Sequence, residues 1–283
     1  KSHCPDILFL GDMGSSRAHI GHLRQRLEAE LDDEWFLWTD TSPPPGYPVS
    51  MGALIHCSLA QYIKKLELPC PPEIHRDIWI RAVEGRLLQL EVRRPELEKP
   101  WRYIGVYQHV SKRAPRHDSG AELVQRTLNG MLQQATEKTH HVLILGDINA
   151  APMGGRWGYS RRNMVLRQAD LRTCEWVKAA GLAEISSTPL QATWRPNLQY
   201  KGAVLDRAFL YPHDAPLARL RVQWSDSSIL FDHAAILVTL PQSAAGMGFA
   251  GACPPTYQNA RPETTINLQK WNQPRSEERR VGK

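Results

Sequence analysis

The chain has 283 residues, 42% hydrophobic and 23% charged, which gives enough apolar material for one sizeable core and excludes a disordered polymer. Lysine and arginine number 35 against 29 aspartates and glutamates, a net charge of +6 that favours an anionic partner such as nucleic acid. Five cysteines (Cys4, Cys57, Cys70, Cys174, Cys253) without a Cys-x-x-Cys pair argue against a disulfide framework or a cysteine zinc site and for a reducing compartment, and no run reaches the ~18 apolar residues of a membrane helix. No apolar leader follows Lys1, so neither a secretory signal nor a membrane partner is expected, and a start without Met reads as that of a fragment.

In chain order, the apolar run from Pro5 to Leu10 predicts a buried strand that delivers Gly11 and Asp12 to a sheet edge. A helix follows, capped by Ser15 or Ser16, with Ile20, Leu23, Leu27 and Leu31 on one face, and Pro43 to Gly46 breaks the chain. Strands are predicted over 49–55, 78–83 and 86–92, the last with Leu88, Leu90 and Val92 alternating with Gln89 and Glu91 as in a half-buried antiparallel strand. A strand over 103–110 precedes a helix whose face is Ala121, Val124, Leu128, Met131 or Leu132, and Ala135. A buried strand over 141–145 comes next. Asp170 then caps a helix bearing Leu171, Cys174 and Val177 that stops at Gly181, and strands over 203–211 and 234–240 close the folded part. Residues 241–283 show no apolar period and read as a disordered tail or linker; 275–283 resemble a translated sequencing adapter and carry no functional weight. Strands and helices that do not strictly alternate predict an α+β sandwich of two sheets.

Three groups of residues carry chemistry. His141 to Asn149 is a buried strand ending at Gly146, beyond which Asp147 and Asn149 can point at one site, an arrangement suited to a phosphate and a water. A type I turn with both side chains bonded to their own backbone accounts for the same residues. Asp206 lies inside an apolar strand, where an unpaired carboxylate is costly, and His233 stands at the mouth of another. Asp206 can fix the tautomer of His233 and raise its basicity, although Asp206 paired with Arg207 and His233 as a surface histidine remain open. Arg156, Arg161, Arg162, Arg167 and Arg172 cluster around Trp157; they suit a phosphate backbone with a stacking indole, or a solvated charged face. No glycine-rich phosphate loop is present, which disfavours NTP-driven chemistry.

The ordered segments Pro5 to Leu10, Val106-Tyr107, Gly146-Asp147-Ile148-Asn149, Leu205-Asp206-Arg207 and Asp232-His233 together resemble the endonuclease/exonuclease/phosphatase family over about residues 5–240, which implies one such domain over residues 1–240. Thr193-Trp194, Gly85 to Leu88 and Val106 to Val110 are similar to the endonuclease domains of non-LTR retrotransposons. The resemblance implies a DNase I-like fold, a four-layer α/β sandwich of two packed, mostly antiparallel sheets with flanking helices, here without the first strand. It also implies Mg²⁺- or Mn²⁺-dependent phosphodiester hydrolysis: a DNA endonuclease domain that nicks, fused to a reverse transcriptase in the full-length protein and acting in the nucleus. Its implied site residues are Asp12 and Asp232 on the metal, Asp147 on the attacking water, and Asn149 donating to the phosphate or that water. His233, oriented by Asp206, donates to a non-bridging oxygen. Tyr107 contacts the phosphate or leaving group (a core aromatic is the alternative), and Arg156, Trp157, Arg161 and Arg162 lie on nucleic acid. Gly11-Asp12 stands where the family has Gln-Glu, which shortens the metal ligand by a methylene. A phosphomonoesterase or phospholipase-type member of the same family, or an inactive nucleic-acid-binding remnant, are the other readings.

Overall fold

A computed structural model describes residues 6–11, 20–22, 24–26, 35–39, 51–95, 97–109, 120–157, 167–195, 201–224 and 232–240. The expected tail over 241–283 lies outside the described residues. Six strands form the main sheet: β4 (Ile63–Leu66), β5 (Leu87–Val92), β6 (Trp101–Tyr107), β7 (His141–Asp147), β11 (Asp206–Leu210) and β9 (Ala183–Ile185), in the order β4-β5-β6-β7-β11-β9. Every pairing is antiparallel except β6 with β7. Those two strands are joined by helix α2 (Gly120–Glu137), because parallel neighbours need a crossover.

Side chains that share a register row share a face, so the sheet has two distinct sides. One carries Leu87, Ile104, Val106, Val142, Ile144 and Phe209, and on it lie α1 (Arg76–Val83), α2 and α3 (Gln168–Ala179). The other carries Leu88, Leu90, Val92, Tyr103 and Leu143. It is covered by a second sheet, β1 (Ile7–Leu10), β3 (Gly52–His56) and β2 (Trp35–Thr39) in the order β1-β3-β2, and by the hairpin of β12 (Arg219–Gln223) with β13 (Ala235–Thr239). The helical residues 20–22 and 24–26 lie beyond the small sheet, where Arg24 Nη2 donates to the Leu37 carbonyl at 3.4 Å. The expected sandwich of two mostly antiparallel sheets with flanking helices is the observed architecture.

The two sheets are in tight contact at Gly105 of β6, where an added Cβ would run into the Phe9 ring of β1 and the methyl of Met51. The contact brings the end of β1 over the end of β6: a Cβ on Gly11 would sit 3.9 Å from Cδ2 of Tyr107.

Several local expectations are corrected. Residues 78–83 are not a strand but most of α1, because His75 caps the helix through Nδ1 on the Asp77 N–H and Trp79 and Val83, four residues apart, both enter the core. Ile78 is correspondingly 57% exposed. Gln89 is buried rather than solvated, because the helix layer covers the face it was expected to show to water. In α3, Arg167 is the N-cap and Asp170 the third helical residue of a capping box, Leu171 is exposed, and the buried face is Asp170, Thr173 and Val177. That helix does end at Gly181 (φ 65°), whose N–H donates to the Lys178 carbonyl while Leu182 N–H donates to Val177. The strand expected over 203–211 is split into β10 (Gly202–Ala203), paired with β8 (Arg156–Trp157), and β11.

Candidate active site

Three adjacent strands end in one register row. Tyr107 of β6 is the partner of Asp147 of β7, and Asp147 is the partner of Asp206 of β11. All three therefore project from the inner face of the main sheet at one edge. The row exists because β6 and β7 are parallel and so finish together, and because Gly146 lets β7 turn there: its φ is 138°, and any Cβ would collide with the carbonyl of Val106.

Asp147 is buried and accepts two hydrogen bonds from Asn149, from the backbone N–H to Oδ1 (2.9 Å) and from Nδ2 to Oδ2 (3.1 Å). Asn149 adopts the left-handed conformation (φ 53°) that this loop requires. Its Nδ2 also donates to the Gln108 carbonyl at 2.8 Å, so both amide protons are spent and Oδ1 is what it offers a ligand or water. That corrects the expectation that Asn149 donates to the phosphate. The turn reading of Asp147 and Asn149 and the site reading thus hold together, since the turn aims the carboxylate.

Asp206 Oδ2 lies 2.8 Å from His233 Nδ1, as the sequence suggested, whereas Arg207, the alternative partner, turns to the other face and forms a bidentate pair with Glu184 at 2.9 and 2.6 Å. Burial alone would lower the pKa of His233. The hydrogen bond and charge of Asp206, with the charges of Asp147 and Asp232, more than offset it and raise the pKa to about 9. With Nδ1 held by Asp206, the imidazolium presents Nε2–H as its outward donor.

Thr193 has a role at this site that the sequence did not assign to it. Its buried hydroxyl accepts from the N–H groups of both Leu205 and Asp206 at 2.9 Å, and its carbonyl accepts from Ala234 N–H at 2.7 Å. One residue, through its hydroxyl and its backbone carbonyl, therefore fixes the start of β11 against the segment bearing His233. Thr193-Trp194 was visible as a motif, but only the fold assigns it this job. Gln108 was likewise unmarked; it supplies the carbonyl that orients Asn149.

Asp232 is exposed beside His233, and its carbonyl accepts from Arg195 N–H at 2.7 Å. Arg195 places its guanidinium 4.8 Å over the Trp224 ring, which puts a cation and an indole near this edge. Arg156 is committed elsewhere: Nε and Nη2 donate to Asp170 at 3.0 and 2.8 Å, so it anchors the post-Asn149 segment to α3, a correction to its expected place on nucleic acid. Trp157 is half-buried and pairs with Gly202. Asp12, Arg161 and Arg162 lie outside the described residues. Tyr107 is half-buried, with the Arg86 guanidinium 5.3 Å from its ring centroid. Among the described residues, Asp147, Asp206 and Asp232 do not by themselves close up into a three-ligand cation cage.

By sequence, no family profile matches the chain and no curated protein does. By structure it is similar to a 3′ phosphatase from Neisseria bound to product DNA hairpin (17% identity, 84% of this chain and 89% of that one, TM-score 0.59). It is also similar to an AP endonuclease from Leishmania major (14%, 82% and 77%, TM-score 0.56). A third likeness is to the endonuclease domain of TRAS1, a telomere-specific non-LTR retrotransposon (10%, 83% and 98%, TM-score 0.51). The chain has the DNase I-like fold, that of endonuclease/exonuclease/phosphatase proteins.

Proposed function

We propose that this chain is a divalent-metal-dependent phosphodiesterase acting on DNA, a nicking endonuclease domain of retrotransposon type. The observation that carries the reading is the single register row of Tyr107, Asp147 and Asp206 with His233 bound to Asp206. Asp147, held by Asn149, orients an attacking water and accepts its proton. His233, positively charged at neutral pH and locked by Asp206, donates Nε2–H to a non-bridging phosphate oxygen as charge builds there. Tyr107, the register partner of Asp147, contacts the phosphate or leaving group. The donor set at this edge is carboxylate and amide oxygen, which fits a hard cation such as Mg²⁺ or Mn²⁺. Asp12 and Asp232 would hold it, and when bound it offsets the negative charge of the phosphorane-like transition state.

Supercoiled plasmid should be nicked with Mg²⁺ and spared with EDTA, and the rate should fall by about a hundredfold or more in Asn149→Ala and His233→Ala; nicking that survives EDTA rejects the proposal. The likeness to the Neisseria 3′ phosphatase favours one second reading, a phosphomonoesterase on DNA ends. Release of phosphate from a 3′-phosphorylated oligonucleotide with no nicking selects it. DNA binding with neither reaction in any divalent metal selects the inactive remnant.

A further inference from the structure

The strand that ends in Asp147 begins at the far edge of the sheet with His141, about 20 Å away over six steps of extended chain. β11 runs back antiparallel and ends there at Leu210, and the turn after it returns His213 and Asp214 to His141. Among the described residues this is the one place where three imidazole or carboxylate groups gather, with their ligand atoms all within 4.8 Å of one another.

The His213–Asp214 separation is that of two ligands around a small ion, and His141 stands at hydrogen-bond distance from the same carboxylate. His141 Nδ1 lies 2.9 Å from Asp214 Oδ1 and 3.0 Å from Oδ2, and His213 Nε2 lies 3.4 Å from the same Oδ2. Two atoms each about 2.0–2.1 Å from a tetrahedral zinc ion stand roughly 3.4 Å apart. The rings are already braced. Trp101 stacks on His141 at 4.8 Å, Tyr211 stacks on His213 at 5.8 Å, and the Asp214 N–H donates to the Tyr211 carbonyl at 3.0 Å, tightening the turn. Asp214 is buried, while the His213 side chain is 67% exposed, leaving an open side through which an ion and a water can enter.

We propose that His141 Nδ1, His213 Nε2 and one carboxylate oxygen of Asp214 form a transition-metal site that takes Zn²⁺ in preference to Mg²⁺ and is separate from the candidate catalytic edge. Two imidazoles suit zinc and disfavour magnesium, which prefers an all-oxygen shell. The ion takes the place of the proton between His141 Nδ1 and Asp214, so that His141 binds as a neutral imidazole with its own proton on Nε2, and a water completes the tetrahedron. Bound there, it ties the start of β7 to the turn after β11 and so secures the end of the two strands remote from the substrate.

The test titrates the full chain with Co²⁺ while excess Mg²⁺ fills oxygen sites, following visible absorption and stoichiometry, and repeats thermal melts with and without Zn²⁺. We expect one Co²⁺ per chain with tetrahedral bands, binding weakened more than about tenfold in His213→Ala and in Asp214→Asn, unchanged binding in His22→Ala, a Zn²⁺-dependent rise in Tm, and Mg²⁺-dependent nicking unaltered in His213→Ala. No tetrahedral band, or equal binding in His213→Ala, overturns the proposal and leaves His141 and Asp214 as a hydrogen-bonded pair. His213 is exposed, so its variant folds and keeps that comparison decisive.

Discussion

Asp147 and Asp206 face each other across neighbouring strands, a placement in which like charges repel, and His233 is the cation that offsets them. Exchange of His233 for alanine should lower the nicking rate about 10²–10⁴-fold, read under single-turnover conditions. Gly146→Ala should destabilise the fold by ~3 kcal/mol in urea denaturation, because the substitution meets both a forbidden φ and a backbone carbonyl. Asp170 is fully buried. Burial alone would raise its pKa, but the bonds from Arg156 and from the N–H groups of Arg167 and Ala151 win and lower it. A depressed carboxylate stabilises the fold above its unfolded value near ~3.9 and loses that contribution as pH falls toward the folded one. Asp170→Asn should therefore cost about 3–5 kcal/mol at pH 7, with the Tm gap from the parent chain narrowing below about pH 4. At this scale the sequence was most informative for Asp147, Asp206 and His233. It could not indicate that Arg156 spends its fork on Asp170, because a basic cluster reads the same whether its charges face water or a buried acid.

Secondary structure was legible wherever one periodicity prevailed, as in α2, whose predicted face is the buried one. It failed at 78–83, where a run of β-branched and aromatic residues mimics a strand, while the histidine cap and the Trp79–Val83 spacing decide for a helix. Substitution discriminates the two: Ile78→Lys should shift stability by less than about 0.5 kcal/mol, and Trp79→Ala, which also strips the 2.9 Å bond to Thr127, should cost about 3–5 kcal/mol. β2, β4, β9 and β12 went unpredicted. They are edge or hairpin strands of only three to five residues, too short for a period to stand out from its surroundings even where, as in β12, polar and apolar residues do alternate.

For the molecule as a whole, the basic balance and the Arg195–Trp224 pair beside the catalytic edge predict salt-sensitive DNA binding. The logarithm of affinity should fall linearly with the logarithm of salt, and Arg195→Ala should flatten the slope by about 0.9 if the guanidinium neutralises one phosphate. Fluorescence anisotropy across a salt series measures it. The architecture itself followed from motif order rather than from composition, since residues far apart in the chain had to converge for the pattern to have meaning. Gly105 shows how that convergence is enforced from a distance. A single methyl added there would wedge the two layers apart and lift the end of β1 off Tyr107, so Gly105→Ala should blunt catalysis while every reacting group stays intact. A naked stretch of backbone in mid-strand thus acts as the spacer that sets how far apart the two layers stand beside the candidate site.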